Sequence, residues 1–144
     1  MNISIFLEKG GKLPEYKTDG ASCMDCFARI SAVSGIKIPM HSRCLINLGF
    51  RIAIPFGYEG IIKPRSGLTS KDCVDVAIGT IDSDYRGEVK ACVINNSNGD
   101  YEIHPDDRIC QLDIQRSERI DWKIVSSLDE TERGENGFGS TGLN

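Results

Sequence analysis

Apolar residues recur at every second position along much of this chain. In the stretch CLINLGFRIAIP, Ile46, Leu48, Phe50, Ile52 and Ile54 alternate with Asn47, Gly49, Arg51 and Ala53. Val89, Ala91 and Val93 repeat the pattern in EVKACVIN, and Cys110, Leu112 and Ile114 do so against Gln111 and Asp113. Near the start, Ile3, Ile5 and Leu7 keep the same spacing, with the apolar Phe6 between them. Successive side chains of a strand point to opposite faces, so these runs predict half-buried β-strands. Turn-forming residues fall between the runs: Gly10-Gly11, Gly35, Pro55-Phe56-Gly57, Asp84-Tyr85-Arg86-Gly87, Asn98-Gly99-Asp100 and Pro105-Asp106-Asp107. Many short strands punctuated in this way predict an all-β sandwich or barrel. A 3.6-residue period is missing except for one helical turn over residues 68–72, just after Ser66-Gly67. No stretch approaches the roughly 20 apolar residues of a membrane-crossing helix.

The pattern fades at the C-terminal end. Residues 129–144, DETERGENGFGSTGLN, contain four glycines and little that is apolar beyond Phe138 and Leu143. Such a segment cannot bury enough surface to fix its own conformation. The expected organisation is one β domain over residues 1–128 and a flexible, glycine-rich arm over residues 129–144. A bare aromatic between two glycines suits a stacking lid, and Arg133, five positions earlier, can meet an anion. A frayed terminus is the plainer reading of the same residues.

Composition narrows the function. A chain of 144 residues fits one domain, and 40% hydrophobic with 26% charged residues argues for a folded one. Seventeen basic against 21 acidic residues give a net charge of −4, which argues against non-specific binding to nucleic acid, a process driven by phosphate neutralisation. A few local arginines can still serve one phosphate group. The N-terminal MNISIFLEKGG carries acid and base and has no apolar core of a secretory signal, so the expected compartment is the cytoplasm, or the nucleus in a eukaryotic or viral setting. The six cysteines then read as buried thiols rather than disulfides. Cys23 and Cys26 form a C-x-x-C with no second pair to complete a zinc site.

Three loops carry more chemistry than a sandwich needs. Pro64-Arg65-Ser66-Gly67-Leu68 offers a guanidinium fork, a hydroxyl and a backbone N–H that glycine leaves approachable, the parts of a phosphate cradle. A strand end with no ligand is the alternative. Residues 79–88, GTIDSDYRGE, are bracketed by Gly79 and Gly87 as a hairpin or tight loop. If that segment is extended, Asp82 and Asp84 share a face and could bind a metal or activate water; a solvated acidic turn is the alternative. Tyr85 adds a flat surface with a hydroxyl, suited to a sugar or base. Asp107-Arg108-Ile109-Cys110-Gln111-Leu112 combines a charge pair with strand residues, and Gln111 reads as either a core amide or a ligand contact.

Taken together, the three loops and the tail resemble the trimeric deoxyuridine triphosphatases (dUTPases). Five motifs occur in that family's order over residues 20–142. GASCMDCFA, residues 20–28, resembles the first, usually A-x-G-x-D-L-x-A. Residues 64–68 resemble the second, 79–87 the third and 107–112 the fourth, with Cys110 where alanine is usual. RGENGFGSTG, residues 133–142, resembles the fifth, with Asn136 where glycine is usual, a residue that tolerates the left-handed region.

The resemblance implies a jelly-roll-like β-barrel or sandwich with a flexible C-terminal arm. It implies hydrolysis of dUTP to dUMP and pyrophosphate with Mg²⁺, by water attack on the α-phosphorus. Asp82 is then the catalytic base. Arg65, Ser66, Gly67 and Gln111 hold the phosphates, and Arg133 reaches the γ-phosphate from the arm. The backbone of Ala77, Gly79, Thr80 and Ile81 reads uracil, and cytosine, with the opposite donor–acceptor pattern, is left unpaired. Tyr85 under the deoxyribose excludes a 2′-hydroxyl. Lys90 joins the substrate contacts, and Phe138 with Gly139 closes over the base. The Mg²⁺ rests mainly on the phosphates, with Asp25 either one water removed or purely structural. A homotrimer with sites at subunit interfaces is also implied. Two rivals remain: a dCTP deaminase-like enzyme on the same fold, and a regulatory protein that contacts a protein partner and uses nucleotide as a switch.

Overall fold

The computed structural model describes residues 1–137 of the chain. Phe138, Gly139 and Leu143 of the expected lid lie outside the described residues.

Eleven strands and one short helix follow in order: β1 Ser4–Leu7, β2 Met24–Phe27, β3 Ile36–Ile38, β4 Arg43–Asn47, β5 Phe50–Ala53, β6 Tyr58–Lys63, α1 Ser66–Asp72, β7 Val74–Val76, β8 Gly79–Ile81, β9 Lys90–Asn95, β10 Tyr101–Ile103 and β11 Arg108–Arg116. All ladders are antiparallel. One sheet runs β2-β11-β6-β8 and another β4-β9-β7, with β1-β5 and β10-β3 as two-stranded additions. Cys26, Ile62, Ile81, Cys110 and Leu112 from the first sheet and Ile46, Val74, Val76, Ala91 and Val93 from the second meet in one buried cluster. This is the expected all-β sandwich, with β5, β7 and β9 giving alternate side chains to a shared interior.

The long alternating run is two strands rather than one. All five of its apolar residues are buried, yet β4 pairs with β9 and β5 pairs with β1. The chain changes sheets at Leu48-Gly49, where Gly49 takes φ 78°. A Cβ there would lie 2.6 Å from the Gly11 Cα and 2.8 Å from the Arg29 Cδ, so only glycine fits the corner.

Three expectations change. The β1 residues Ile5 and Leu7 are exposed rather than half-buried, and only Ile3 is partly covered. β1 pairs with β5 alone, and no layer covers its outer face. The helix begins at Ser66, two residues before the expected turn, so Ser66 and Gly67 sit in its first turn. Cys73, in the left-handed region with φ 55°, ends it. Asn136 does not adopt that region; Gly134 does, with φ 52°.

All six thiols are free, but only Cys26 and Cys110 are buried as expected; Cys23, Cys44 and Cys92 are partly covered and Cys73, at the helix end, is exposed. Cys26 and Cys110 face each other across β2 and β11, both fully buried. The neighbouring Cys110 thiol, then burial, pushes the Cys26 thiol up, so it stays protonated and behaves as a small apolar side chain.

Asn95 is the buried polar group that holds a corner of the sandwich. Its Nδ2 donates to the carbonyls of Ile38 (3.0 Å), Pro39 (3.2 Å) and Gly99 (2.8 Å). Its Oδ1 accepts from the Ser97 N–H (3.0 Å) and Oγ (2.7 Å). Asn95→Ala strands several of these groups, and each buried orphan costs about 1–3 kcal/mol. We expect urea denaturation to show a loss of about 2–4 kcal/mol; a loss below ~1 kcal/mol would mean that water replaces the amide.

Candidate active site

Asp25 on β2 is one of two buried polar residues among the described residues, at 4% exposed. Gln111 on β11 stands directly opposite it in the ladder and donates from Nε2 to Asp25 Oδ1 at 3.0 Å. Arg108 Nη1 donates to Oδ2 at 3.0 Å, and Arg65 Nε lies 3.6 Å from Oδ1. Arg65 Nη1 also donates to the Arg108 carbonyl at 2.6 Å. In a regular strand Arg108 and Gln111, three positions apart, would point to opposite faces. The ladder skips a residue between Arg108 and Cys110; this bulge buries both Ile109 and Cys110 and turns Arg108 and Gln111 to the same carboxylate.

The acidic partner of Arg108 is thus Asp25, 83 positions away, rather than its neighbour Asp107. Asp107 instead accepts the His104 N–H at 2.7 Å. The sequence reading singled out Asp25, Arg65 and Gln111 but missed Arg108. The D-R-I-C pattern offered the residue; the bulge that aims it has no sequence mark. In the first turn of α1, the N–H groups of Ser66 and Gly67 have no intrahelical acceptor, and no side chain caps the helix. Two guanidinium groups, an amide and open backbone donors therefore gather at one end of β6.

The second group lies along the edge of β6 and reaches, at Asp82, the start of that strand. A recess of about 210 Å³ is lined by Ile62, Gly79, Thr80, Ile81, Asp82, Tyr85, Glu88, Val89 and Lys90. It brings together six of the residues singled out from the sequence. β8 is the outermost strand of its sheet, so one edge of residues 79–81 has unpaired backbone groups. β7 and β8 do not pair with each other: β7 joins β9 and β8 joins β6. Of the hairpin or tight loop expected over residues 79–88, the loop is what forms: β8 pairs with β6 and β9 with β4 and β7, so the strands on either side of it belong to different sheets. Ala77 donates its N–H to the Cys92 carbonyl at 2.9 Å, which removes that donor from any base, and Ile78 projects outward, 73% exposed.

Beyond β8 the chain turns, and the Tyr85 N–H donates to the Asp82 carbonyl at 3.1 Å. Asp82 and Asp84 therefore flank a turn instead of sharing one face of a strand. Both remain exposed. Tyr85 folds back and donates its hydroxyl to the Glu88 carbonyl at 3.1 Å. A Cβ on Gly87 would lie 2.2 Å from that hydroxyl oxygen, so the phenol occupies the space a side chain would need.

One chain does not bring Asp82 and Arg65 together. β8 runs along β6 from Ile62↔Gly79 to Gly60↔Ile81, leaving Asp82 beside the start of β6 and Arg65 beyond its end. At an extended rise of about 3.3 Å per residue the separation is roughly 20 Å. Arg133 is not at either group: its Nε donates to the Asn136 carbonyl at 2.9 Å. Among the described residues no three His, Cys, Asp or Glu side chains converge as a metal cage, and no helix is long and apolar enough to cross a membrane. The larger groove on the surface, about 450 Å³, is apolar, lined by Ile3, Ile5, Met24, Ile52 and Ile114 among others, and holds none of the expected site residues.

Comparison with known proteins places these features. The profile of the family described as dUTPase matches residues 11–142. A deoxyuridine 5'-triphosphate nucleotidohydrolase of Orientia tsutsugamushi (strain Boryong) is 47% identical over 138 residues, covering 94% of this chain and 92% of that protein. The enzyme of the same name from Finegoldia magna is 45% identical and covers 99% of both chains. Among solved structures, a variant dUTPase of Staphylococcus bacteriophage 80alpha with dUpNHpp superposes with a TM-score of 0.89 at 24% identity, covering 99% of each chain. A variant dUTPase of the S. aureus phage phi11, described with a structural Mg(II) ion, superposes with a TM-score of 0.81 at 20% identity, over 90% of this chain and all of that one. At such identities these two structures establish the shared fold.

Proposed function

The chain belongs to the dUTPase family, and from that premise we propose how its own residues turn dUTP into dUMP and pyrophosphate. The activity is a dUTP diphosphatase, which keeps uracil out of DNA and supplies dUMP for dTMP synthesis. The reading rests above all on the separation of Asp82, beside the start of β6, from Arg65, beyond its end. Neither end is complete alone: one has the carboxylate and a recess for a nucleoside, the other the cationic donors for phosphates. A homotrimer that sets one end of each subunit against the other end of a neighbour completes the site. The apolar groove and the exposed β1 face leave surface for such contacts.

In this site uracil lies against the open edge of β8, where N–H and C=O groups of residues 79–81 read its donor–acceptor pattern. Ala77 contributes its carbonyl, since its N–H is taken by Cys92. Tyr85 lies under the deoxyribose and leaves no room for a 2′-hydroxyl. Lys90 lies at the recess rim. Asp82, exposed at the head of its turn, orients a water toward the α-phosphorus and takes its proton. Arg65 and Gln111 of a neighbouring subunit, with the first turn of α1, hold the phosphate oxygens and stabilise charge as the α-phosphorus bond to the leaving pyrophosphate breaks. Asp25 keeps Arg65, Arg108 and Gln111 aimed. The arm, residues 129–144, brings Arg133 to the γ-phosphate, while Phe138 and Gly139 close over the base and exclude water.

The donor set fits a Mg²⁺ that arrives on the triphosphate. Such an ion keeps several waters and needs one or two carboxylates rather than a cage, and Asp25 is the buried carboxylate beside the phosphate donors. When bound, the ion neutralises phosphate charge and holds the chain of phosphates in one geometry.

Mixing two inactive variants tests the divided site. Asp82→Asn and Arg65→Gln subunits, unfolded together and refolded, should recover about a quarter of wild-type activity, since three quarters of the random trimers are hybrids and each hybrid holds one intact site in three. Absence of recovery, with hybrids shown by mass spectrometry, would place Asp82 and Arg65 of one subunit in the same site and overturn the arrangement.

A further inference from the structure

The mechanism above leaves one half-buried charge pair unused. Arg29, just after β2, donates from Nε to Glu88 Oε1 at 2.8 Å and from Nη2 to Oε2 at 2.9 Å, a two-pronged pair spanning 59 positions of sequence. The side chains are 24% and 14% exposed. Glu88 Oε1 also accepts the Gly49 N–H at 3.1 Å. Both carboxylate oxygens are therefore held, one of them by the backbone of the corner where the chain changes sheets. The carbonyl of the same Glu88 receives the Tyr85 hydroxyl, and Glu88 also lines the recess. The 82–88 turn is otherwise exposed except at Ser83, Gly87 and Glu88, so Glu88 is its anchor to the sandwich.

We propose that the Arg29–Glu88 pair is a positioning clamp that fixes the Tyr85 ring and thereby sets the enzyme's preference for a 2′-deoxyribose over a ribose. This inference rests on the assignment of Tyr85 to the sugar. The carboxylate is clamped at its head by Arg29 and Gly49; the carbonyl of the same residue then stands at a fixed place to receive the phenol. A ring held in this way cannot retreat from an added hydroxyl. With the clamp loosened, the ring moves by a few tenths of an ångström at little cost, and a ribose enters. Preorganised fit of this kind is lost through small displacements far from the chemistry, and arginine's fork makes the pair directional in a way lysine cannot copy.

The test compares kcat/KM for dUTP and UTP in Glu88→Gln, Arg29→Lys and Tyr85→Phe, and in the Glu88→Gln/Tyr85→Phe double variant. The clamp predicts that the dUTP-to-UTP ratio falls at least about tenfold in each single variant, and that the double variant falls no further than Tyr85→Phe, because both act through one contact. A role confined to stability would lower the melting temperature and cut both substrates equally; an unchanged ratio in Glu88→Gln and Arg29→Lys, or additive losses in the double variant, overturns the proposal. If Glu88→Gln does not fold, Arg29→Lys, which keeps the charge and most of the stem, decides. Tyr85 ring signals in NMR of the labelled protein give a readout independent of turnover: they should broaden or shift in both clamp variants, and their invariance contradicts the clamp. Wild-type protein that leaves dUTP intact while its Tyr85 signals respond would instead refute the assignment of the reaction.

Discussion

Asp82→Asn should lower kcat for dUTP by at least about 10³-fold, near the upper range for loss of a general base, while a non-hydrolysable dUTP analogue still binds within a few-fold of wild type. The substitution is nearly isosteric. The contact that shapes the turn comes from the Asp82 carbonyl, which accepts the Tyr85 N–H, and backbone is unaffected by the change. The carboxylate itself is exposed and makes no hydrogen bond or ion pair among the described residues, so stability should be unchanged. Stopped-flow turnover and calorimetric binding of the analogue separate the two effects. Near-normal turnover would move the base to another residue, and a parallel loss of analogue binding would make Asp82 a binding residue.

Ending the chain before Arg133 should reduce kcat/KM for dUTP by about 10²–10³-fold, the scale of losing a charged phosphate contact together with water exclusion, and leave a folded trimer. From Glu118 to Asn136 no side chain is buried, and regular structure among the described residues ends with β11 at Arg116. Among the described residues the core therefore loses nothing. The loss should fall on turnover and on KM together, because the removed segment serves the closed complex. Analytical ultracentrifugation and the melting temperature check the fold. A shortened protein with full activity would remove the arm from the mechanism; one that falls to monomers would give it a role in assembly.

Much of the fold is legible as alternation. Val89, Ala91 and Val93, and the run from Ile46 to Ile54, are buried where the period places them, because one face of each strand meets a shared core. The irregularities are less legible. The change of sheet at Gly49 keeps the apolar period intact, so the sequence runs on as if one strand continued. The bulge before Cys110 inserts one residue and brings Arg108 to the same face as Gln111; only the finished ladder reveals it. Asp82 and Asp84 read as a face-sharing pair because a local extended backbone was the simplest assumption, and the turn closed by the Tyr85 N–H replaced it.

The candidate site was legible in kind but not in arrangement. The sequence proposes a base, phosphate donors and a tyrosine under the sugar, yet where Asp82 and Arg65 stand along β6 depends on strand register. The Arg29–Glu88 pair is invisible in one dimension because its partners are brought together by the packing of a strand exit against a distant turn. The exposed side of β1 was read as half-buried for a related reason. Alternation says that a face is apolar and does not say which layer covers it.

The most direct measurement is the initial rate of pyrophosphate release with Mg²⁺ from dUTP, dCTP, dTTP and UTP at equal concentration, with ammonia followed in the dCTP sample. The account predicts rapid release from dUTP, at least about 10²-fold slower release from the others, as a base site built on hydrogen bonding requires, and no ammonia. Equal rates for all four, ammonia from dCTP, or no release from dUTP by a folded sample would contradict it; the last of these would leave the regulatory reading as the one to pursue.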